Sequence, residues 1–143
     1  MAHLHKNFYR RFMNVKNGDI WLALNKGEEN ISPLLKLSEV RLPVKVSFEL
    51  ANLANKLGGY YTPIEQARNR LAMQHGEKDK SGNVTLNSNM KGYTSFMKEL
   101  TELFSIEQDI EFKKVKLPLE VDGKPLNIEP KILAPLVLFI EVE

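Results

Sequence analysis

The stretch Tyr93-Thr94-Ser95-Phe96-Met97-Lys98-Glu99-Leu100-Thr101-Glu102-Leu103-Phe104, continued by Ser105-Ile106-Glu107-Gln108-Asp109-Ile110-Glu111-Phe112-Lys113, decides the fold class. In its first half Tyr93, Phe96, Met97, Leu100, Leu103 and Phe104 recur at helical spacing, which predicts a helix with one apolar face. Ser88 or Asn89 is the expected cap, a side-chain oxygen for the free N–H groups of the first turn. In the second half Ile110 and Phe112 alternate with Glu111 and Lys113, the period of a half-buried strand. Val115 and Leu117 then take the opposite parity, so a bulge or register change is expected near Lys113-Lys114. A helical first part followed by a small antiparallel β element places the chain in the α+β class.

Upstream, Pro43 suits the first turn of a long helix, and Val46, Leu50, Leu53, Ala54 and Leu57 form its core-facing stripe. At Gly58-Gly59-Tyr60-Tyr61-Thr62-Pro63 two readings compete. Gly58 can end one helix and Thr62 cap the next in the box Thr62-Pro63-Ile64-Glu65. Against a wide break, Leu50, Leu57, Ile64 and Leu71 recur every seven residues in unbroken phase. The expectation is two nearly collinear pieces, or one helix bent near Pro63, ending at Gly76. With the later helix it should bury Leu50, Leu53, Leu57, Ile64, Leu71, Phe96, Leu100 and Phe104.

The remaining elements are shorter. Phe12, Met13 and Val15 suit a short strand, and Asn17-Gly18 reads as punctuation. Asp19 is the expected N-cap of a helix carrying Ile20, Trp21 and Leu24 and ending at Gly27. Residues 28–41 read as an irregular connector with room for one helical turn, whose leucines Leu34, Leu35 and Leu37 touch the core. Residues 77–89 are polar, with turn chemistry at Asp79, Gly82 and Asn83. Val121-Asp122-Gly123-Lys124 predicts a two-residue hairpin turn. Pro130 starts a short C-terminal helix bearing Ile132, Leu133, Leu136, Val137 and Ile140.

The 143 residues are 43% hydrophobic and 27% charged, the usage of one globular domain. Zero cysteines exclude a disulfide scaffold, thiolate metal sites and a cysteine nucleophile. The apolar run Leu136-Val137-Leu138-Phe139-Ile140 is far short of a membrane span, and Phe12 to Gly18 interrupt any signal-peptide core. The net charge of +2 is unevenly spread: Lys6, Arg10, Arg11 and Lys16 stand in residues 1–16 with no acid, while the rest holds 16 basic and 18 acidic residues. Residues 1–16 are therefore expected to be a basic N-terminal arm and residues 17–143 a single globular domain.

Lys16-Asn17-Gly18-Asp19-Ile20, Leu42-Pro43-Val44-Lys45-Val46, Glu65-x-x-Arg68, Gly76-Glu77-Lys78-Asp79 with Gly82-Asn83, and Glu99-Leu100-x-x-Leu103-Phe104 resemble a family of small uncharacterised proteins encoded by phages and prophages. The resemblance runs from about residue 14 to the C-terminus and brings no catalytic or ligand residues with it. It implies an accessory protein acting in the virion or on a host component in the bacterial cytoplasm. The arm before Asn14 and the connector from Gly27 to Ser38 depart from the family pattern.

Chemistry-bearing constellations are sparse. His3-x-His5 with His75 falls short of the three or four convergent ligands a metal site needs, so no metal and no cofactor is expected. Asp79-Lys80-Ser81-Gly82-Asn83 starts like a calcium loop, but Val84 stands where the turn requires glycine and Met90 where a bidentate Glu belongs. No Gly-x-Ser-x-Gly elbow or phosphate loop occurs, and Glu99, Glu102, Glu107, Asp109 and Glu111 read as solvated faces. A non-enzymatic role is expected. The arm residues His5, Lys6, Tyr9, Arg10, Arg11 and Phe12 mix cations with aromatics, a combination that anchors protein interfaces and equally contacts nucleic acid. Protein is the favoured partner, with nucleic acid or inhibition of a host defence as the alternative. Self-association is expected from aromatic surface at Phe8, Tyr9, Phe12, Trp21, Tyr60 and Tyr61.

Overall fold

The computed structural model describes residues 12–27 and 29–143. Its helices are α1 (Asn17–Leu24), α2 (Pro33–Ser38), α3 (Val44–His75), α4 (Tyr93–Ser105) and α5 (Pro130–Leu133), the last running into a 3-10 turn at Ala134–Leu136. The strands are β1 (Phe12–Lys16), β2 (Glu77–Lys78), β3 (Val84–Thr85), β4 (Glu107–Glu111), β5 (Val115–Leu117), β6 (Glu120–Val121), β7 (Lys124–Pro125) and β8 (Ile140–Val142). They form separate two-stranded pairs: β1–β4, β2–β3 and β6–β7 are antiparallel, and β5–β8 is parallel. The fold is α+β and mainly helical.

The sevenfold recurrence wins at Pro63. α3 is one helix of 32 residues that runs through the proline. Pro63 has no N–H to give the preceding turn, and the Thr62 hydroxyl donates to the Gly58 carbonyl at 3.2 Å instead of capping a new helix. Leu50, Leu53, Leu57 and Ile64 are buried, and α1, α2, α4 and β5 all pack against this helix. Leu71 and Leu100 are only half-buried, and Phe96 is buried apart from the main cluster. Leu71 lines an open groove between α3 and α4 with Leu103 and Ile106, which leaves it partly in water.

Asn17-Gly18 is no turn. α1 begins at Asn17, whose backbone N–H donates to the Ile106 carbonyl at 2.9 Å. The buried Asn17 amide also donates to the Leu103 carbonyl at 3.0 Å and accepts from the Gln108 side chain, so the pair joins β1 to the α4–β4 corner. Asp19 consequently sits in the first turn rather than at the cap, and its carboxylate accepts the Lys16 N–H at 2.9 Å. The helix ends at Leu24, before Gly27, which takes φ 61° in the following turn. In the connector, Ser32 caps α2 by accepting the Leu35 N–H at 3.1 Å; Leu34 and Leu37 are buried as expected, whereas Leu35, on the opposite side of this short helix, is exposed.

Neither Ser88 nor Asn89 caps α4. Asn89 donates its N–H to the Asn87 side chain at 3.0 Å, and the helix starts at Tyr93 after Gly92. A Cβ on Gly92 would run into the carbonyl oxygen of His75, so close backbone contact with the end of α3 fixes where α4 begins. The hairpin turn at Asp122-Gly123 has φ 54° and 77°, the pair of positive angles a two-residue connection requires.

The parity change after Phe112 is a change of partner strand rather than a bulge. Phe112 and Val115 are both buried, and between them the chain leaves β4's pairing with β1 and joins β8. Residues 137–142 are not helical: Pro135 halts the helix, Phe139 is buried, and Ile140–Val142 runs parallel to β5. The expected arm divides likewise. Residues 12–16 pair with Glu107–Glu111 across five positions and bury Val15, so they belong to the body, while residues 1–11 lie outside the described ones. Trp21, Tyr60 and Tyr61 are half-buried on helices and pack against the core, which removes them from the expected aromatic surface; Phe12 remains exposed.

Leu57→Ala should cost roughly 2–5 kcal/mol, since it removes apolar burial and leaves a cavity. Leu100→Ala should cost less, under about 2 kcal/mol, because only part of that side chain leaves water on folding. Urea midpoints at unchanged slope test the ordering, and equal losses would contradict this placement of the core.

Candidate functional site

Of the residues singled out in the sequence, His5, Lys6, Tyr9, Arg10 and Arg11 fall outside the described residues, and Phe12 alone is placed. Phe12 opens β1 opposite Glu111, at the end of the ladder where β4 continues into Phe112 and Lys113. Strand alternation explains its direction. Val15 points inward and is 1% exposed, whereas Phe12, at odd separation, points away and is 65% exposed. The ladder is steadied at Asn14, whose amide donates to the Asp109 carboxylate at 3.1 Å.

Beside this strand end lies a shallow groove of about 410 Å³ between α3 and the β4–β5 connection. Glu49, Asn52 and Lys56 line its α3 side, and Phe112, Lys113 and Val115 the other. Lys56 Nζ donates to the Glu111 carbonyl, tying the groove wall to the strand end. The groove thus combines an apolar floor with cations and one carboxylate at its rim. Such a surface can seat an apolar or aromatic anchor and exclude water from a contact around it.

A second cluster, which the sequence reading did not assemble, sits on α1, α3 and α4. Trp21 stacks on Tyr61 with ring centroids 5.3 Å apart, touches Phe104 at 5.5 Å, and carries the Arg68 guanidinium 5.3 Å above its ring. The signal for part of it was present: Tyr61, Glu65 and Arg68 are four and three residues apart and share a helix face. What placed Trp21 over that face is the packing of α1 on α3. Nearby, His75 Nε2 meets Glu99 Oε2 at 2.5 Å across the α3–α4 interface. Among the described residues no group of three or more His, Cys, Asp or Glu is arranged to hold a metal ion, and no helix is long and apolar enough to cross a membrane.

Burial pushes the Tyr61 phenol up to about 12, helped by the hydrogen bond it donates to Glu65 at 3.0 Å and by that carboxylate's charge, with Arg68 pulling the other way. Comparison with protein-family models, curated proteins and solved structures found no match to this chain.

The Tyr61 shift has a definite sign. In the unfolded chain the phenol ionises near its ordinary 10.0, while the folded protein holds the proton until about 12. The folded state therefore loses stability as pH rises through that window, because the unfolded state gains free energy by releasing a proton the fold retains. Denaturation midpoints of the natural chain should fall more steeply across this window than those of Tyr61→Phe. Equal slopes would show that the phenol is not coupled to folding.

Proposed function

We propose that the chain is a non-enzymatic binding protein that contacts another protein through the segment ending in Phe12. What supports this reading is the position of that phenylalanine: a large aromatic side chain 65% exposed at the start of a strand anchored by the buried Val15. Leaving an aromatic ring in water on a rigid strand is unfavourable unless something covers it, and strand-mounted aromatics make good interface anchors because little freedom is lost on contact. His5, Lys6, Tyr9, Arg10 and Arg11 extend the same chemistry along the chain. The open groove and the cations around it suit a partner with an acidic, partly apolar surface. The setting in a phage or prophage, as a virion component or a binder of a host protein in the bacterial cytoplasm, rests on the short motifs alone.

Salt separates this reading from nucleic-acid binding. Phosphate contacts lose affinity steeply as ionic strength rises, because counterion release drives them, whereas a buried aromatic contact is little screened. Partner capture from a host lysate by the full chain should survive high salt and be strongly weakened by Phe12→Ala. A random oligonucleotide should bind the chain weakly if at all. If instead the oligonucleotide binds tightly and Arg10→Ala and Arg11→Ala each lower the salt slope by about one unit, the protein-binding reading fails. A chain beginning at Phe12 keeps all of β1, so it should fold with the melting behaviour of the full chain; one beginning at Asn14 loses part of the ladder and should be less stable.

A further inference from the structure

Asn17-Gly18 is the one place in the chain where asparagine precedes glycine. In a freely moving chain this dipeptide is the one most prone to deamidation, since glycine lets its own backbone nitrogen reach the asparagine side chain. Tertiary contacts nonetheless call for both residues here. Asn17 is 4% exposed; its Nδ2 donates to the Leu103 carbonyl at 3.0 Å and its Oδ1 accepts from Gln108 Nε2. Its backbone N–H donates to the Ile106 carbonyl at 2.9 Å. Gly18 lies against Phe104, and a Cβ there would stand 3.3 Å from both the Phe104 Cβ and its carbonyl oxygen. Its φ is not positive, so close approach rather than backbone conformation asks for glycine. The corner joining β1, α1, α4 and β4 is thus built around a chemically labile pair.

We propose that Asn17 is a modification site gated by unfolding: the corner holds its amide inert, and once the corner opens the residue deamidates to a product that the same corner rejects. In the reaction the Gly18 backbone nitrogen gives its proton to hydroxide and attacks the Asn17 Cγ. The new N–C bond closes a five-membered imide, the Cγ–Nδ2 bond breaks, and the side-chain nitrogen leaves as ammonia with a proton from water. Water then opens the imide to aspartate or isoaspartate. The attack requires the side chain to fold back on its own backbone, with ψ turned away from the helical value. Asn17 opens α1, which holds ψ in the helical region, and its two side-chain hydrogen bonds aim the amide at Leu103 and Gln108 instead. The step is irreversible, because ammonia is lost to solvent. An aspartate would put a carboxylate oxygen where Nδ2 stood, facing the Leu103 carbonyl oxygen with no hydrogen between two buried acceptors. An isoaspartate adds a carbon to the main chain where β1 becomes α1. A chain that has opened and reacted therefore does not regain its native corner. The inference concerns the lifetime of the folded chain and does not depend on what contacts Phe12.

The test incubates the full natural chain in mildly alkaline buffer, with and without guanidinium, and follows each asparagine by peptide mapping. Fragment spectra separate Asn17 from Asn25, and isoaspartate differs from aspartate in retention at equal mass. In guanidinium Asn17 should convert faster than any other asparagine. In native buffer it should convert at least about 100-fold more slowly, in proportion to the population of the open corner. Asn87, exposed and followed by Ser88, is the internal control and should convert at comparable rates in both buffers. Val15→Ala, which removes a buried contact of β1, should speed conversion of Asn17 in native buffer and leave its rate in guanidinium unchanged. Asn17→Asp should lower the urea midpoint of the chain or prevent folding outright. Conversion of Asn17 at one rate in both buffers overturns the inference, as does a native rate indifferent to Val15→Ala. An Asn17→Asp chain with the natural midpoint overturns it as well, since the corner then accepts the product.

Discussion

The row Leu50, Leu57 and Ile64 on α3 is the constraint on which the other elements depend. These side chains are almost completely removed from water, and α1, α2, α4 and β5 reach the core by packing on them. Hydrophobic burial is not directional, so a row of this length accepts several elements along one line without dictating their order. The proline inside the helix does not interrupt it, because Pro63 lies outside the row and the buried side chains on either side hold the two turns in phase.

The strand pairs act as ties between helices. A two-stranded pair is marginally stable at best by itself in water, and β1–β4 and β5–β8 gain stability from the helices they join. β1–β4 links the start of α1 to the end of α4, with the buried Asn17 amide closing the corner through Leu103 and Gln108. β5–β8 brings the last residues of the chain back beside Val115, and the buried Phe139 rests at 5.3 Å from Phe112. Every polar side-chain atom buried among the described residues has a hydrogen-bond partner, so these ties carry little desolvation penalty.

Phe12 stands at the start of β1 with its ring exposed, and the groove between α3 and the β4–β5 connection has Lys56, Lys113 and Glu49 at its rim.

Helices, the α+β class and most of the buried residues were legible in the sequence, because period 3.6 and period 2 are properties of neighbouring residues and survive without knowledge of what they pack against. The hairpin at Asp122-Gly123 was legible for the same reason: the turn conformation depends on those two residues alone. Tertiary structure decided the rest. Asn17-Gly18 reads as a turn until the carbonyls of Leu103 and Ile106 supply partners from far along the chain. Residues 137–140 read as helix until β5 offers an open strand to join, since a short apolar run satisfies either period. The Trp21, Tyr61 and Arg68 stack needs α1 laid across α3, and half of it was visible only as a spacing on one helix. Local periodicity fixes which face of an element turns inward, but hydrogen-bond and ring partners distant in sequence are chosen by the packing of those faces together.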